Sequence, residues 1–282
     1  MKNDNILQRE VLDVIKEKYG EIFAAEKKVA DFVLQNPQKT VDSNVSEIAK
    51  QSGVSDATVV RMCHHIGYTG YYQFRITLAR DLGKKQYEGM VIPKSTGAIE
   101  KLFHDYAEKL IAIGRRMDAE TMWNCVNLLK ICNVAHIIAI GNTCSVSKYM
   151  GFRLGRLGIR STFEASAEFF MNHINLADPG DIVVAISKSG TSKPVFLGME
   201  LAKEKGLKII AITDYVQSPV SELADYVLLS SGEDEPFNYY KDYAQTNVMA
   251  TIDALLNFVT NEEWIKMKQA DRPEMILSEY KI

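Results

Sequence analysis

The sequence predicts an all-helical N-terminal domain followed by an α/β domain, in which a five-stranded parallel sheet is flanked by helices. Helical periodicity dominates the first 82 residues. After residue 98, short runs rich in Ile and Val alternate with segments long enough for one helix each. This alternation is the pattern of a parallel sheet covered on both faces. The predicted strands are Val134–Ile140, Ile159–Phe163, Ile182–Ile186, Lys208–Ile212 and Tyr226–Leu229.

A stretch without clear periodicity separates the two predicted domains. It spans residues 83–97 and contains several helix breakers, among them Gly89 and Pro93. We therefore expect a helical domain over residues 1–82, a linker over 83–97 and the α/β domain over 98–282. The further helices expected in the α/β domain are 98–113, 119–131 and a long closing helix, Tyr240–Thr260.

Two helix boundaries can be located in the N-terminal domain. The segment Glu21–Asn36 carries apolar side chains at helical intervals and ends before Pro37, which disfavours a helical conformation in the preceding residue. Asn44 is followed three residues later by Glu47, which is the pattern of a capping box. This pair predicts that a second helix begins directly after Asn44.

Residues 46–67 have the spacing of a helix-turn-helix motif. Ile48 and the small Ala49 would lie on the first helix, where the small side chain lets a second helix cross closely. Gly53 follows four residues after Ala49, where the turn between two helices often needs a positive φ. Ser55 is a good N-cap for the second helix.

The second helix of this motif is expected to have a buried face and an outward face. Val59, Met62 and Ile66 recur at helical spacing and predict the buried face. The outward side chains are small, polar or basic, and suit base edges and phosphates in a DNA major groove. A helical hairpin of some other all-α domain is the alternative. The residues expected to contact DNA are Ser55, Ala57, Thr58, Arg61, His64 and His65.

Composition agrees with a globular protein that has room for two cores. Of 282 residues, 46% are hydrophobic and 24% charged, and the net charge is −3. Residues 45–85 nevertheless carry six basic and three acidic side chains, a local excess that suits sequence-specific DNA binding. No apolar run has the length of a membrane span, and the first residues lack a signal-peptide core. The four cysteines are scattered without a CxxC pair, which fits a reducing cytoplasm and argues against a zinc site.

Two hydroxyl-rich loops follow strands of the predicted sheet, and open parallel sheets bind ligands at the carboxyl ends of their strands. Residues 187–192, Ser-Lys-Ser-Gly-Thr-Ser, come directly after Ile182–Ile186 and before a helix. Four hydroxyls, exposed backbone N–H groups and a helix N-terminus together suit a phosphate. Residues 141–145, Gly-Asn-Thr-Cys-Ser, follow the first strand in the same way. For each loop taken alone, an ordinary helix N-cap is the alternative.

The loop Ser187-Lys-Ser-Gly-Thr-Ser192 resembles the Ser-x-Ser-Gly-x-Thr loop of sugar isomerase (SIS) domains, which have a flavodoxin-like fold and bind phosphosugars. The N-terminal part resembles the helix-turn-helix of RpiR-type bacterial regulators, through Val54-Ser-Asp-Ala-Thr-Val-Val-Arg61 and Gly67-Tyr-Thr-Gly-Tyr71. Two positions depart from the family pattern. Ser192 stands in place of the usual Thr, and Thr143 replaces a second glycine in the first loop, where it would narrow the approach to a ligand.

The resemblance implies a phosphosugar site built from both loops. Cys144, within the first loop, is expected to be a packed thiol rather than a nucleophile, because no basic partner is marked beside it. Glu168 would contact a sugar hydroxyl, with a solvated helix glutamate as the alternative. The ligand-binding residues implied are Ser145, Glu168, Ser187, Lys188, Ser189, Gly190, Thr191 and Ser192.

The leading hypothesis for function is a DNA-binding transcriptional regulator of sugar metabolism, not an enzyme, whose affinity for an inverted-repeat operator is set by a phosphosugar. Such a regulator would act as a homo-oligomer, a dimer or a tetramer. The alternative is a phosphosugar aldose–ketose isomerase with an accessory helical domain. Isomerisation needs a base, for which Glu164, Glu168 and His173 are candidates. A purely structural DNA-bound protein leaves the hydroxyl-rich loop unexplained. We expect no cofactor, no metal and no membrane partner.

Overall fold

The protein is described by a computed structural model over residues 9–87, 96–232, 245–260 and 272–277. Contacts between Cα atoms divide the chain into two compact units near residue 98. Each unit has its own hydrophobic core. Among the described residues, no helix is both long enough and apolar enough to cross a bilayer.

The first unit is entirely helical over its described residues. Its core contains the fully buried Val29, Ile48, Met62 and Phe74, which come from four different helices. The close packing of small domains depends on such interdigitated apolar side chains. The helices are α1 (Val11–Lys18), α2 (Ala24–Gln35), α3 (Pro37–Asp42), α4 (Val45–Ser52), α5 (Asp56–His65) and α6 (Tyr71–Tyr87).

The predicted start of α4 and the turn that follows this helix are confirmed. Asn44 Oδ1 accepts a hydrogen bond from the Glu47 N–H at 2.9 Å, and the Asn44 N–H donates to Glu47 Oε2 at 2.8 Å. These two bonds form the expected capping box. Gly53 has φ +64° and ends α4 in the left-handed region, where glycine avoids the Cβ penalty.

The predicted linker is shorter on its N-terminal side than expected. Helix α6 continues to Tyr87, so residues 83–87 are helical, and α7 begins at Thr96. Lys84, Lys85 and Gln86 have good helix propensity, which outweighs the single Gly83. Residues 88–95 lie outside the described part of the chain, and the predicted domain limits stay a prediction.

The second unit contains the predicted five-stranded parallel sheet. The strand order is β2-β1-β3-β4-β5, which is the doubly wound, flavodoxin-like order. All four pairings are parallel; for example, Ala135 pairs with Ile182 and Ile182 with Lys208. Every residue of β1 and β3 is buried, as expected for central strands covered on both faces. The strands are β1 (Ala135–Ala139), β2 (Ser161–Thr162), β3 (Ile182–Ile186), β4 (Lys208–Thr213) and β5 (Tyr226–Leu229).

Helices cover both faces of this sheet. On one face, α8, α9 and α13 contribute buried side chains such as Leu129, Met150 and Leu255 to one cluster. On the other face, α10, α11 and α12 contribute side chains such as Phe170 and Met199 to a second cluster. The helices from residue 96 onward are α7 (Thr96–Arg116), α8 (Ala119–Ile131), α9 (Cys144–Arg156), α10 (Ala167–Asn175), α11 (Lys193–Glu204), α12 (Pro219–Leu223), α13 (Thr246–Val259) and α14 (Arg272–Leu277).

Candidate functional sites

Helix α5, the second helix of the helix-turn-helix motif, is held in the first unit by its apolar face. Val59, Met62 and Ile66 are fully buried, as the sequence predicts. Ser55 stands at the N-cap position with extended backbone, but its side chain does not cap the helix. Its Oγ lies 3.0 Å from Thr58 Oγ1 instead. The N-terminal turn of α5 is therefore stabilised by a pair of hydroxyls.

Five of the six residues predicted to contact DNA are exposed, on α5 or at its N-cap. They are Ser55, Ala57, Arg61, His64 and His65. Thr58 is only 5% exposed, so the prediction that it faces outward is wrong. It lies beside Met62 at the edge of the buried face, and its hydroxyl is occupied by Ser55 and by Arg61 Nη2, which donates to Thr58 Oγ1 at 3.1 Å. Thr58 thus orients the Arg61 guanidinium rather than presenting its own side chain.

The two histidines at the C-terminal end of α5 are both engaged in contacts within the first unit. His64 Nε2 donates to the Thr69 carbonyl at 3.0 Å. His65 Nδ1 donates to Glu26 Oε2 at 2.8 Å, and the His65 ring packs against Phe23 with centroids 5.4 Å apart. Glu26 is only 2% exposed. His65 therefore fastens α5 to α2, a role that the helical pattern of α5 alone did not reveal.

The loop after β3 closes onto the neighbouring strand β4 through its backbone. The Ser187 N–H donates to the Ile212 carbonyl at 3.0 Å, and the Gly190 N–H donates to the Ser187 carbonyl at 2.9 Å. Gly190 has φ +62°. A Cβ at this position would lie 2.1 Å from Ser218 Oγ and 2.3 Å from Ser218 Cβ. Both the backbone conformation and the space therefore require glycine here.

The polar groups of this loop are arranged around its turn and the start of α11. Ser189 and Thr191 are half-buried, and Thr191 Oγ1 donates to Ser189 Oγ at 3.0 Å. Ser192 is the N-cap of α11, but its side chain makes no capping bond. Within the described residues, the backbone N–H groups of Ser189 and Ser192 donate to no protein acceptor. Together with the α11 N-terminus, these groups can bind an anion.

Lys188 connects the loop to the ends of two further strands. Its Nζ lies 3.8 Å from Asp214 Oδ2, and its carbonyl accepts hydrogen bonds from the Asp214 N–H and from Thr213 Oγ1. Asp214 Oδ1 in turn accepts from Ser230 Oγ at 2.6 Å. The carboxyl ends of β3, β4 and β5 are thereby linked. Asp214 was not among the predicted site residues, although its position directly after β4, at the carboxyl end of the sheet, was a signal for it.

The first loop, after β1, adjoins the loop after β3 because β1 and β3 are paired. Gly141 has φ +68°, and Ser145 is exposed at the start of α9. Thr143 is buried, and its hydroxyl lies 3.1 Å from the Ile140 carbonyl and 3.3 Å from the Ile186 carbonyl. It joins the ends of the two strands, a contact that was not predicted from the sequence. The expected narrowing of the ligand approach by Thr143 stays a prediction.

The remaining candidates are distributed around the second unit. Burial raises the pKa of the Cys144 thiol, which contacts the Ala139 carbonyl at 3.5 Å; this fits a packed thiol rather than a nucleophile. Glu164 and Glu168 are exposed. His173 is half-buried and stacks against His136, with ring centroids 6.4 Å apart. In the described parts of the chain, no three His, Cys, Asp or Glu side chains come together as metal ligands would.

Two family models match the chain, one on each unit. Residues 9–85 match the helix-turn-helix domain of the rpiR family, and residues 129–258 match the SIS domain. An HTH-type transcriptional regulator of Haemophilus influenzae is 28% identical over 96% of this chain and 98% of its own length. The HTH-type regulator YbbH of Bacillus subtilis is 29% identical over 79% of this chain and 81% of its own length.

The structure of the NanR protein of Vibrio vulnificus, complexed with ManNAc-6P, has a similar fold. It superposes with a TM-score of 0.75 at 22% sequence identity and covers 96% of this chain and 99% of its own. At this level of identity the likeness concerns the fold. It extends over both units, so the order of a helical unit followed by a parallel-sheet unit is common to the two proteins.

Proposed function

Since this chain belongs to the RpiR family of helix-turn-helix transcriptional regulators that carry a SIS domain, we propose that its DNA affinity is controlled by a phosphosugar bound to the second unit. The protein is a transcriptional regulator. What we propose is the chemical class of the effector, the site that binds it and its control of DNA affinity.

The observation that carries the proposal is the loop of residues 187–192. It combines a glycine that no other residue can replace without strain, hydroxyls at Ser189 and Thr191, and the Ser189 and Ser192 N–H groups at the start of α11. A phosphate accepts several hydrogen bonds at once and is favoured at a helix N-terminus. The NanR structure, whose fold is similar, is a complex with a sugar phosphate, which supports this class of ligand.

The proposed DNA contact uses the exposed face of α5. Arg61 is held along the helix by Thr58, which lowers the conformational freedom that its guanidinium loses on binding a base edge. Ala57 and His64 flank it on the exposed face. One short helix reads only a few base pairs, so a dimer on an inverted repeat is the expected complex.

Control of DNA affinity must be reciprocal. A ligand that lowers affinity for the operator is bound less tightly by the DNA complex, by the same factor. We do not expect the protein to convert the sugar phosphate. The ligand should therefore be recovered unchanged after incubation with the protein.

The experiment measures binding of the full chain to an inverted-repeat DNA obtained by in vitro selection, with and without a panel of sugar 6-phosphates. We expect one sugar phosphate to change operator affinity, its non-phosphorylated sugar to have no effect, and Ser189→Ala to weaken the response. Arg61→Ala should cost about 1–3 kcal/mol of operator binding. Arg160→Ala, which removes an exposed arginine of the second unit, is its control. Sugar turnover at enzymatic rates with unchanged DNA affinity would overturn the proposal.

A further inference from the structure

The segment of residues 230–232, which follows β5, is fastened to the end of β4 beside the loop of residues 187–192. Ser230 is fully buried. Its N–H donates to the Thr213 carbonyl at 2.9 Å, and its Oγ donates to Asp214 Oδ1 at 2.6 Å. A hydrogen bond to a carboxylate is stronger than one between neutral groups, so Asp214 helps to fix the position of the 230–232 segment.

On its other side, the 230–232 segment packs against the last two turns of α7. A Cβ at Gly232 would lie 2.4 Å from the Ala112 Cβ and 3.0 Å from the Ala112 carbonyl carbon. The Ser231 carbonyl accepts a hydrogen bond from Arg116 Nη1 at 3.5 Å. Because closely packed interiors transmit small displacements, a shift of the segment must move the end of α7.

Asp214 also connects the 230–232 segment to the loop that is proposed to bind the effector. Its N–H donates to the Lys188 carbonyl at 3.0 Å, and its Oδ2 lies 3.8 Å from Lys188 Nζ. One carboxylate oxygen is therefore directed toward the loop and the other toward Ser230. The side chains of Lys188 and Asp214 are 17% and 21% exposed, so solvent ions screen this pair less than a surface ion pair.

We propose that Asp214 is a positioning residue that transmits the occupancy of the effector site to α7. A phosphate bound by the loop of residues 187–192 brings negative charge next to Lys188 and attracts its ammonium away from Asp214. The carboxylate then loses one of its attractions, and the 230–232 segment is held less firmly. The inference rests on the effector site of the proposed function and adds the route by which its occupancy leaves that site.

Helix α7 is suited to carry this change, because few of its side chains are anchored in a core. All 21 of its residues, Thr96–Arg116, are described, and Ile113 is the one that is buried. Along the chain, α7 is the first helix after α6, the last helix of the first unit. A change in α7 therefore occurs in the helix through which the chain leads from the helix-turn-helix unit into the second unit.

The first test compares hydrogen–deuterium exchange of the full chain in inorganic phosphate and in sodium chloride of equal ionic strength. In the native chain, we expect phosphate to slow exchange in residues 187–192 and to accelerate it at least twofold in residues 110–116. Asp214→Asn and Ser230→Ala should both keep the slower exchange of the loop and lose the response of α7. Ser230→Ala retains the Asp214 charge, so it tests the route even if Asp214→Asn does not fold.

Asp225→Asn is the matched control for Asp214→Asn. It removes the same charge at the amino end of β4 and β5, opposite to the loop, where Asp225 accepts hydrogen bonds from Lys203 and Lys208. This variant should keep the response of α7 to phosphate. A loop that phosphate protects in the native chain without any change in α7 overturns the route and leaves the effector site standing. A loop that neither phosphate nor any sugar 6-phosphate protects overturns the effector site, and the route with it.

The second test measures operator affinity at a saturating concentration of the sugar 6-phosphate that changes it in the native chain. Saturation removes any difference in sugar phosphate affinity between the variants. Asp214→Asn and Ser230→Ala should reduce the change in operator affinity to twofold or less, whereas Asp225→Asn should retain the native change. A change that Asp214→Asn and Ser230→Ala retain in full overturns the role of Asp214, while the proposed control by a sugar phosphate stands.

Discussion

Gly190→Ala tests whether the loop after β3 depends on a backbone conformation and a close approach that only glycine permits. Gly190 has φ +62°, and its Cα lies against the Ser218 side chain. Ser218 cannot move aside easily, because it is buried, accepts a hydrogen bond from the Ser221 N–H at 3.1 Å and begins α12. The added methyl group must therefore displace α12 or the loop itself.

The loss of stability caused by Gly190→Ala has two parts that can be estimated from the structure. A non-glycine residue in the left-handed region costs about 1–2 kcal/mol. The new Cβ would lie 2.1 Å from Ser218 Oγ and 3.2 Å from Thr213 Oγ1, and overpacking of this kind costs about 1–3 kcal/mol. We expect Gly190→Ala to lower the free energy of unfolding of the second unit by about 2–5 kcal/mol.

Gly206→Ala is the control that separates the two parts. Gly206 has φ +73°, but nothing lies within 4 Å of a Cβ built there. This variant should lose only the conformational part, about 1–2 kcal/mol. Urea unfolding followed by tryptophan fluorescence reports on the second unit, because both tryptophans follow residue 98. Equal losses in the two variants would refute the argument that Ser218 blocks a side chain at Gly190.

Two further predictions concern buried polar groups. Tyr71→Phe removes a hydroxyl that lies 2.9 Å from the Thr40 carbonyl and 3.0 Å from the Ser43 carbonyl. Because buried carbonyls then lose a donor, the free energy of unfolding should fall by about 1–3 kcal/mol. Urea unfolding followed by circular dichroism measures this loss, and an unchanged midpoint would contradict the prediction. Burial lowers the pKa of His136 below its ordinary value of 6.5, despite the opposing effect of Asp181, so the unfolded chain binds the proton more readily. The contribution of His136 to stability should be full above pH 6.5 and fall as the pH drops toward the lowered folded-state pKa. The variant His136→Asn should lose less stability than the native chain between pH 7.5 and 5.5. An equal loss in the variant and the native chain would refute this prediction.

The sequence was sufficient to predict the sheet because its central strands are continuous apolar runs. Ile182–Ile186 and Tyr226–Leu229 were predicted with the bounds that the structure has. The run Ile159–Phe163 became a strand of only two residues, Ser161–Thr162. This strand lies at the sheet edge and pairs only with β1. Edge pairing depends on the geometry of the neighbouring strand, which local hydrophobicity does not encode.

The candidate sites were predictable where one segment supplies the whole arrangement. The capping box of α4 and the glycine turn at Gly53 follow from residue types at fixed spacing. The structure instead revealed contacts between segments distant in sequence. Thr143 joins the carboxyl ends of β1 and β3, His65 fastens α5 to α2, and Asp214 meets Lys188. Periodicity within one helix gives no information about such partners.

The carboxylate of Glu26 ties two helices of the first unit together. It accepts the Phe23 N–H at 3.1 Å, which caps α2, and the His65 Nδ1–H at 2.8 Å, which holds the end of α5. A rotation of α5 relative to α2 would therefore break the His65 bond and leave the buried Glu26 carboxylate with one partner fewer. If α5 contacts DNA as proposed, it does so as one body with α2. An effector would then change the preferred spacing of the two half-sites, whereas the bases read at each half-site would stay the same.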